Sequence, residues 1–438
     1  MTRLSPGRGS GPGGRLAGFY AAAFLVIGIQ LPFWPVWLAG HGLDAQEIAT
    51  VFAAAIWAKV VATPAIGALA DRIGRHRVVM AGLAGVACVA YAALWPVSGF
   101  WPLLALNLVA GVAQSALLPL GDSVTLAAVR ERGLDYGRVR VWGSVSFIVA
   151  AVGSGAALAL LPAPAAGPDN RVLGLVLAAS AVLFAASLAM PQARGGRPAA
   201  PIGSLPDPPP LDPLPDPPPL AGEGRRAGAG EGKAGEGKAG AGSRWGAVGQ
   251  LARDRRFWLL VVSASALQAS HQLYYGFGTL YWRELGFSDT VIGVLWAEGV
   301  VAEIVLFWYG APLVARLGPL GLLASGGVAG VVRWSLMGLV PGLGAAAALQ
   351  LLHAFTFGAS HLGAMHLLAR SVPPGAAASA QSLYAALSAG LGSGLVMLGA
   401  GALYAAYGGQ AYPFMALLSA AGLVGVWRLR RAGPAREV

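Results

Sequence analysis

Two glutamates stand inside one long apolar stretch of the sequence, VLWAEGVVAEIVLFWYG, residues 294–310. Glu298 and Glu303 lie five positions apart, and a helix turning about 100° per residue separates such side chains by about 140°. The two acids therefore cannot both face one site, and we expect one to face a cavity and the other a neighbouring helix. A charge at the middle of a bilayer costs about 2.5–3.5 kcal/mol, and such residues mark ion pathways and proton relays. We predict that one glutamate carries a proton and the other balances a basic side chain.

Two side chains on the next apolar stretches are candidates to complete this proton site. Arg333 and His353 lie at similar distances from the centres of their stretches, and depth alone favours Glu298 as their acid. An arginine favours the ionised carboxylate, and an arginine drawn away by an anion lets the carboxylate take up a proton. The alternative is a static buried ion pair that holds the helices together.

The first half of the sequence carries a second candidate site, for the substrate. A stripe of side chains at helical spacing consists of Asn107, Gly111, Gln114, Leu118 and Asp122. Arg140 follows at the start of the next apolar stretch, two residues before Trp142. Asp122 and Arg140 as a pair suit hydroxyl groups, and Arg140 alone suits a carboxylate; a salt bridge at the helix ends is the alternative. Further side chains assigned to the substrate site are Gln30, His271 and Tyr275.

The elements that must position these residues are membrane helices. The chain of 438 residues is 56% hydrophobic and only 11% charged, whereas soluble domains average about a quarter charged residues. Its apolar residues form twelve runs, each near the ~20 residues that a membrane helix needs. Their approximate ranges are 16–40, 45–70, 78–97, 101–127, 140–161, 171–190, 257–281, 289–310, 319–340, 343–369, 378–405 and 411–428. We predict an all-α membrane protein with twelve transmembrane helices.

The basic residues predict which side of the membrane each loop faces. Of the 30 Lys and Arg residues, two lie within spans (Lys59 and Arg333), two in outer loops (Arg171 and Arg283), and the remaining 26 in inner segments. This bias places both termini in the cytoplasm. The net charge of +11 is then a signal of topology, and nucleic-acid binding is discounted. A single cysteine, Cys88, excludes an intrachain disulfide or a cysteine metal site. We expect no metal and no cofactor besides a proton gradient.

A polar segment divides the chain into two halves. Residues 191–256 repeat LPDPPPL and GEGKA, a composition with little to bury that predicts a disordered cytoplasmic linker. The linker separates residues 1–190 from residues 257–438, and each part contains six of the predicted helices. We therefore expect two six-helix bundles.

The two halves resemble each other at an offset of 244 positions. At that offset WLAGHGLDAQEIATVFAAAIWAK matches WRELGFSDTVIGVLWAEGVVAE, and Gly42 corresponds to Gly286. Similar halves in the same orientation are typical of transporter repeats related by a pseudo-two-fold axis, with one site between them. Lys59 and Glu303 occupy equivalent positions at this offset, which suggests a shared interface.

The motif GALADRIGRHR, residues 67–77, resembles the signature of the major facilitator superfamily. By that resemblance, Asp71 meets a helix N-terminus in the other half, where a carboxylate is favoured, and latches the cytoplasmic side. The residues assigned to this gate are Gly67, Asp71, Arg72, Gly74 and Arg75. The alternative is that these charges serve only to hold the loop inside. The equivalent position in the second half is Ala315, so we expect no latch there.

A narrower resemblance covers most of the chain. The segments LPFWPVWLAGHGL, LDYGRVRVWGSVSFI, YYGFGTLYW, GVVAEI, GVVRWSLMG and LLHAFTFGASHLGAM look like the 3-phenylpropionic acid transporter family, a branch similar to lactose permease and the nucleoside–proton symporters. The resemblance implies a proton-coupled importer of small organic solutes such as aromatic acids. We expect the protein to act as a monomer in the bacterial inner membrane. It also favours Glu303, within GVVAE, as the proton carrier. The long linker and the acid at Glu298 depart from the family pattern, and the second departure leaves the substrate open.

Three classes of function follow from these observations. The first is proton symport of an aromatic acid, a sugar or a nucleoside, and the second is export of drugs or metabolites by proton antiport. The third, a membrane enzyme or sensor, is disfavoured because the sequence has no Walker loop, nucleophile elbow or zinc-ligand spacing. Only the family resemblance favours import over export.

Overall fold

A computed structural model of the chain describes residues 11–164, 167–191, 253–372 and 377–432. These residues fold into helices. In chain order the α-helices are α1 (Pro12–Gly40), α2 (Ala45–Ile73), α3 (His76–Ala93), α4 (Phe100–Ser115), α5 (Leu117–Arg132), α6 (Tyr136–Leu160), α7 (Arg171–Ala189), α8 (Arg255–Ala269), α9 (Gln272–Glu284), α10 (Asp289–Trp308), α11 (Gly310–Leu339), α12 (Leu343–Leu351), α13 (Ser360–Ser371), α14 (Ala377–Ala385), α15 (Ser393–Tyr407) and α16 (Tyr412–Arg431). Wider π-helical turns, Ala354–Ala359 and Ala386–Gly392, join α12 to α13 and α14 to α15.

The chain is an all-α membrane protein, as its composition predicts. Ten helical ranges of the described residues are long and apolar enough to cross a membrane. One of them, Ser379–Arg431, runs for 53 residues and is broken at Gly408, whereas α8 and α9 are each too short to count. The number twelve stays a prediction. So do the predicted domain boundaries, since residues 192–252 of the linker lie outside the described residues.

The two halves repeat the same backbone turns at the predicted offset. Gly42 and Gly286 have φ angles of 84° and 82°, and Gly74 and Gly318 have φ angles of 66° and 65°. Glycine adopts these left-handed angles without steric cost, so the matching glycines set matching turns. The structure therefore supports the internal repeat.

The halves pack closely at one end of the molecule, which we call the closed end. Across the halves, α10 packs on α6, and α15 packs on α2. A Cβ atom on Gly155, near the end of α6, would lie 2.3 Å from the Asp289 carbonyl oxygen. A Cβ atom on Gly293 would lie 2.3 Å from the Ala151 carbonyl oxygen, and one on Gly401 would lie 2.5 Å from Cβ of Ala49. Small residues let membrane helices approach this closely.

Charged side chains also meet at the closed end. Arg171 pairs with Asp169 at 2.6 Å in the segment before α7, and Arg283 pairs with Asp289 at 2.7 Å in the second half. Hydrogen bonds from Arg171 hold the pKa of Asp169 below its ordinary value, and the charge of Arg283 acts in the same direction. The loops of the two halves are therefore close enough for their charges to interact.

The opposite end, which carries the predicted gate, is the open end. Arg72, Gly74 and Arg75 are exposed, and the Asp71 side chain is 77% exposed with His76 of its own half 3.1 Å away. Outside its own helix, no atom of the described residues lies within 4 Å of a Cβ atom placed on Gly67, so no described residue of the second half packs on this glycine. The latch between Asp71 and the other half is not formed in this conformation, and it stays a prediction for a conformation closed here.

Candidate functional site

Glu303 faces His353 across the contact between α10 and the end of α12. Its Oε2 lies 4.0 Å from His353 Nε2, and the two side chains are only 18% and 10% exposed. Glycines make this approach possible, since a Cβ atom on Gly299 would lie 3.5 Å from the His353 ring and one on Gly358 would lie 3.5 Å from Glu303 Cγ. A π-helical turn follows His353 directly, and such turns are frequent at functional sites.

The Arg333 guanidinium fixes the tautomer of His353. Its Nη1 lies 3.0 Å from His353 Nδ1, and a guanidinium has donors only. His353 Nδ1 therefore accepts, and the neutral ring carries its proton on Nε2, the nitrogen that faces Glu303. The three side chains form a relay from Glu303 through His353 to Arg333. Depth within the sequence favoured Glu298 for this place, but the rotation of α10 brings Glu303 there instead.

Arg333 is a buried cation that is held by neutral groups. It is 0% exposed, and it donates to Gln350 Oε1 at 2.5 Å and to Thr356 Oγ1 at 3.1 Å. Its guanidinium also lies over the rings of Tyr274 and Trp334, 4.9 and 4.5 Å from their centroids. It makes no ion pair with any carboxylate of the described residues. Arg333 therefore orients His353 from the buried side of the relay, and its guanidinium is not accessible to a substrate.

His271 and Tyr275 extend this network in the second half. At the junction of α8 and α9, His271 Nδ1 donates to the Gln268 carbonyl oxygen at 3.1 Å. Its Nε2 then accepts from the Thr356 hydroxyl at 3.0 Å, and the same hydroxyl accepts from Arg333. The Tyr275 ring stacks on His271 with centroids 5.8 Å apart. The structure thus brings two of the predicted substrate residues into contact with the predicted proton site.

Glu298 lies on a different side of α10. It occupies a stripe with Val294, Val301 and Val305, which are 47%, 45% and 51% exposed. This stripe lines a groove of about 930 Å³ that is mostly apolar. Arg316 also lines the groove, yet no ion pair or hydrogen bond joins Glu298 to a described residue. Glu298 and Glu303 therefore face different surfaces of α10.

We expect Glu298→Gln to leave proton-driven accumulation within about twofold of the wild type, because a partnerless side chain outside the relay carries little coupling energy. Uptake of labelled solute by proteoliposomes under an imposed proton gradient measures this. A loss as large as that of a relay variant would show that Glu298 takes part in coupling.

In the first half, Tyr20 separates the predicted partners Asp122 and Arg140. Asp122 Oδ1 accepts from the hydroxyls of Tyr20 at 2.5 Å and Tyr136 at 3.0 Å. Arg140 lies over the rings of Phe24 and Tyr20, 4.3 and 5.3 Å from their centroids. No ion pair joins Asp122 to Arg140 in this conformation, because the Tyr20 ring and hydroxyl occupy the space between them.

The remaining predicted residues of the first half bind aromatic neighbours. Gln30 donates to the Tyr91 hydroxyl at 2.6 Å, and that hydroxyl donates to Gln114 Oε1 at 2.8 Å. Asn107 Oδ1 accepts from the Trp34 indole at 2.8 Å. Trp142 is 53% exposed on α6. These polar side chains form two separate hydrogen-bonded sets, one that joins α1, α3 and α4 and one that joins α1 to α4.

Three comparisons with known proteins agree with this architecture. The probable 3-phenylpropionic acid transporter of Escherichia coli (strain K12) is 28% identical over 401 residues, 91% of this chain and 93% of that protein. The nucleoside transporter NupG has a similar structure, with a TM-score of 0.74 at 16% identity over 96% of this chain and 99% of that chain. A bacterial homologue of the human lysosomal transporter Spinster, in an inward-facing and unoccupied conformation, has a TM-score of 0.68 at 12% identity over 98% of each chain.

The two solved structures establish the fold alone, which is that of the major facilitator transporters. The profile of the MFS_1 like family matches residues 14–416, a range that runs from α1 to the first residues of α16. The chain therefore belongs to the MFS_1 like family and is a multi-pass secondary transporter, not an enzyme.

Proposed function

We propose that the protein imports a small organic anion, of the kind of 3-phenylpropionate, together with protons across the bacterial inner membrane. The protein acts as a monomer with both termini in the cytoplasm. The name of the 28% identical relative supports the substrate class. The observation that carries the proton coupling is the relay from Glu303 through His353 to the buried Arg333.

The geometry of Glu303 suits a carboxylate that changes its protonation state. An acid in direct contact with an arginine stays ionised, but Glu303 faces a neutral imidazole at 4.0 Å. It can gain a proton without breaking a salt bridge to Arg333, because the Arg333 guanidinium donates to neutral acceptors instead. His353 presents an N–H to the ionised form and keeps it in place.

Alternating access follows from the two ends of the molecule. With the positive-inside orientation, the open end faces the cytoplasm, and this conformation is the one that releases solute and proton inward. In the opposite conformation the glycine contacts of the closed end separate, and Asp71 reaches the second half. A ligand shifts such an equilibrium by its difference in affinity for the two states.

The test is uptake by proteoliposomes under an imposed inward proton gradient, with labelled 3-phenylpropionate, a nucleoside and a sugar. Protein-free liposomes are the necessary control, because a weak aromatic acid also crosses a bilayer in its neutral form. We expect accumulation of the acid above that control and its collapse with a protonophore. Uptake of the nucleoside or the sugar without uptake of the acid would show that the substrate is not an organic acid. Solute release coupled to proton entry would favour an exporter.

A further inference from the structure

The residue that binds the substrate carboxylate must be a basic side chain that a ligand can reach. Three basic side chains lie within or beside the helices that surround the space between the halves. Arg333 is fully buried and bonded to its neighbours. Arg140 rests on the rings of Phe24 and Tyr20. Lys59 is exposed and makes no ion pair or hydrogen bond with the described residues.

Lys59 lies on the part of α2 that meets α4. Another face of α2 packs on α15 and on the π-helical turn before it, where Trp57 meets Gly394 and Val60 meets Gly390. Val61 is 74% exposed on the remaining face. The Cε atom of Lys59 is 3.8 Å from a Cβ atom placed on Gly111 of α4. Because α2 is flanked by α4 in its own half and α15 in the other, the side chain borders the space between the halves.

The internal repeat places Lys59 at the position equivalent to Glu303. The two residues correspond at the offset of 244 positions, and the structure gives them corresponding neighbours. Glu303 meets His353, and Lys59 meets Gly111, at nearly the same offset. Where the second half places an imidazole beside Glu303, the first half places a glycine beside Lys59, which offers the ammonium group no side-chain partner.

We propose that Lys59 anchors the carboxylate of the transported solute. This inference rests on the proposed function, and it narrows the substrate to monoanionic organic acids. An ammonium group offers three donors and full charge complementarity to a carboxylate. A bound anion opposes the ionised form of a carboxylate on the facing side, so the anion and the proton on Glu303 bind together.

The chain itself allows a direct test, because it has three lysines, Lys59, Lys233 and Lys238. Purified protein is treated briefly with an amine-acylating reagent, and the extent of modification at each lysine is read by peptide mass spectrometry. We expect 3-phenylpropionate to slow the acylation of Lys59 about threefold or more at concentrations of at least about twice its dissociation constant. Lys233 and Lys238 serve as internal controls, and 3-phenylpropionamide, which has the same body without the charge, should protect no lysine.

Two variants separate the charge from the fold. We expect Lys59→Gln to raise the KM for the acid by about tenfold or more, as the loss of a charged hydrogen-bond partner implies, whereas Lys59→Arg retains uptake. An unchanged KM in Lys59→Gln, or equal protection by the amide, would overturn the role of Lys59. Uptake of the acid without protection of Lys59 from acylation would overturn only the role of Lys59. Protection of Lys59 without uptake would overturn only the proposal of import. The absence of both would overturn both.

Discussion

Replacement of Glu303 by glutamine should reduce proton-driven accumulation to the level of protein-free liposomes while the protein still inserts and folds. Glutamine has the same size and keeps a polar group at the position that lies 4.0 Å from His353 Nε2 in the wild type. It cannot take up a proton, so the relay loses the one group whose charge changes. Initial rates and steady-state levels of labelled 3-phenylpropionate under an inward proton gradient measure the effect.

Two comparisons make this prediction specific to proton coupling. The Glu303→Gln variant should still exchange internal labelled solute for external unlabelled solute, because exchange needs no net movement of protons. Glu298→Gln, which changes the same chemical group on the outer stripe of the same helix, should accumulate solute normally. Full accumulation by Glu303→Gln would show that Glu303 does not carry the proton. Loss of accumulation in Glu298→Gln alone would assign the proton to Glu298 instead.

A valine at Gly293 should prevent the closed end from packing. A Cβ atom there would lie 2.3 Å from the Ala151 carbonyl oxygen and 3.0 Å from its carbon, and backbone atoms of two packed helices cannot move aside cheaply. Each 1.4 kcal/mol of such a clash shifts the conformational equilibrium about tenfold. We therefore expect the protein to favour conformations with this end apart, and uptake to fall by about tenfold or more.

Distances between spin labels on the two halves report this shift. Leu160 at the end of α6 and Tyr407 at the end of α15 are 83% and 54% exposed, and both lie at the closed end. With Cys88 replaced, cysteines at these positions should show a longer distance in the Gly293→Val background. Gly82→Val is the matched control, since nothing lies within 4 Å of a Cβ atom at Gly82. Wild-type uptake and an unchanged distance in Gly293→Val would contradict the role of this contact.

Hydropathy and the internal repeat predicted most of the architecture. In lipid, the backbone N–H and C=O groups of a single apolar run can be hydrogen-bonded within the run only if it forms a helix. The runs correspond to α1 to α7 in the first half and to α8 to α16 in the second. Gly42 and Gly286 correspond at the offset of the repeat, and both adopt left-handed backbone angles. These features depend on local chemistry, so they can be predicted from a single sequence.

Which of the two glutamates faces His353 depends on the rotation of α10 about its axis. The position of a residue along its apolar stretch gives its depth in the membrane but not this rotation. A signal was nevertheless present in the glycines of α10. Glu303 follows Gly299 by one turn on the face that packs against His353. Glu298 follows Val294 by one turn on the exposed apolar stripe. Glycine marks the packed faces of a membrane helix, so its spacing to each acid favoured Glu303.

Uncharged members of the site were beyond sequence reasoning. Thr356 joins His271 to Arg333, and Gln350 ties Arg333 to Tyr274. A hydroxyl or amide in an apolar run has many local partners to choose from, so its partner on another helix is set by the tertiary packing. The same reason explains Asp122, whose tyrosine partners replace the predicted arginine.

The central claim is that solute and proton move together, and proton movement measures it directly. Weakly buffered proteoliposomes without an imposed gradient receive external 3-phenylpropionate, and the external pH is recorded beside protein-free liposomes and Glu303→Gln. The account predicts a wild-type alkalinisation faster than in both controls. Protein-dependent solute uptake with a pH trace equal to that of protein-free liposomes, or an acidification, would contradict it.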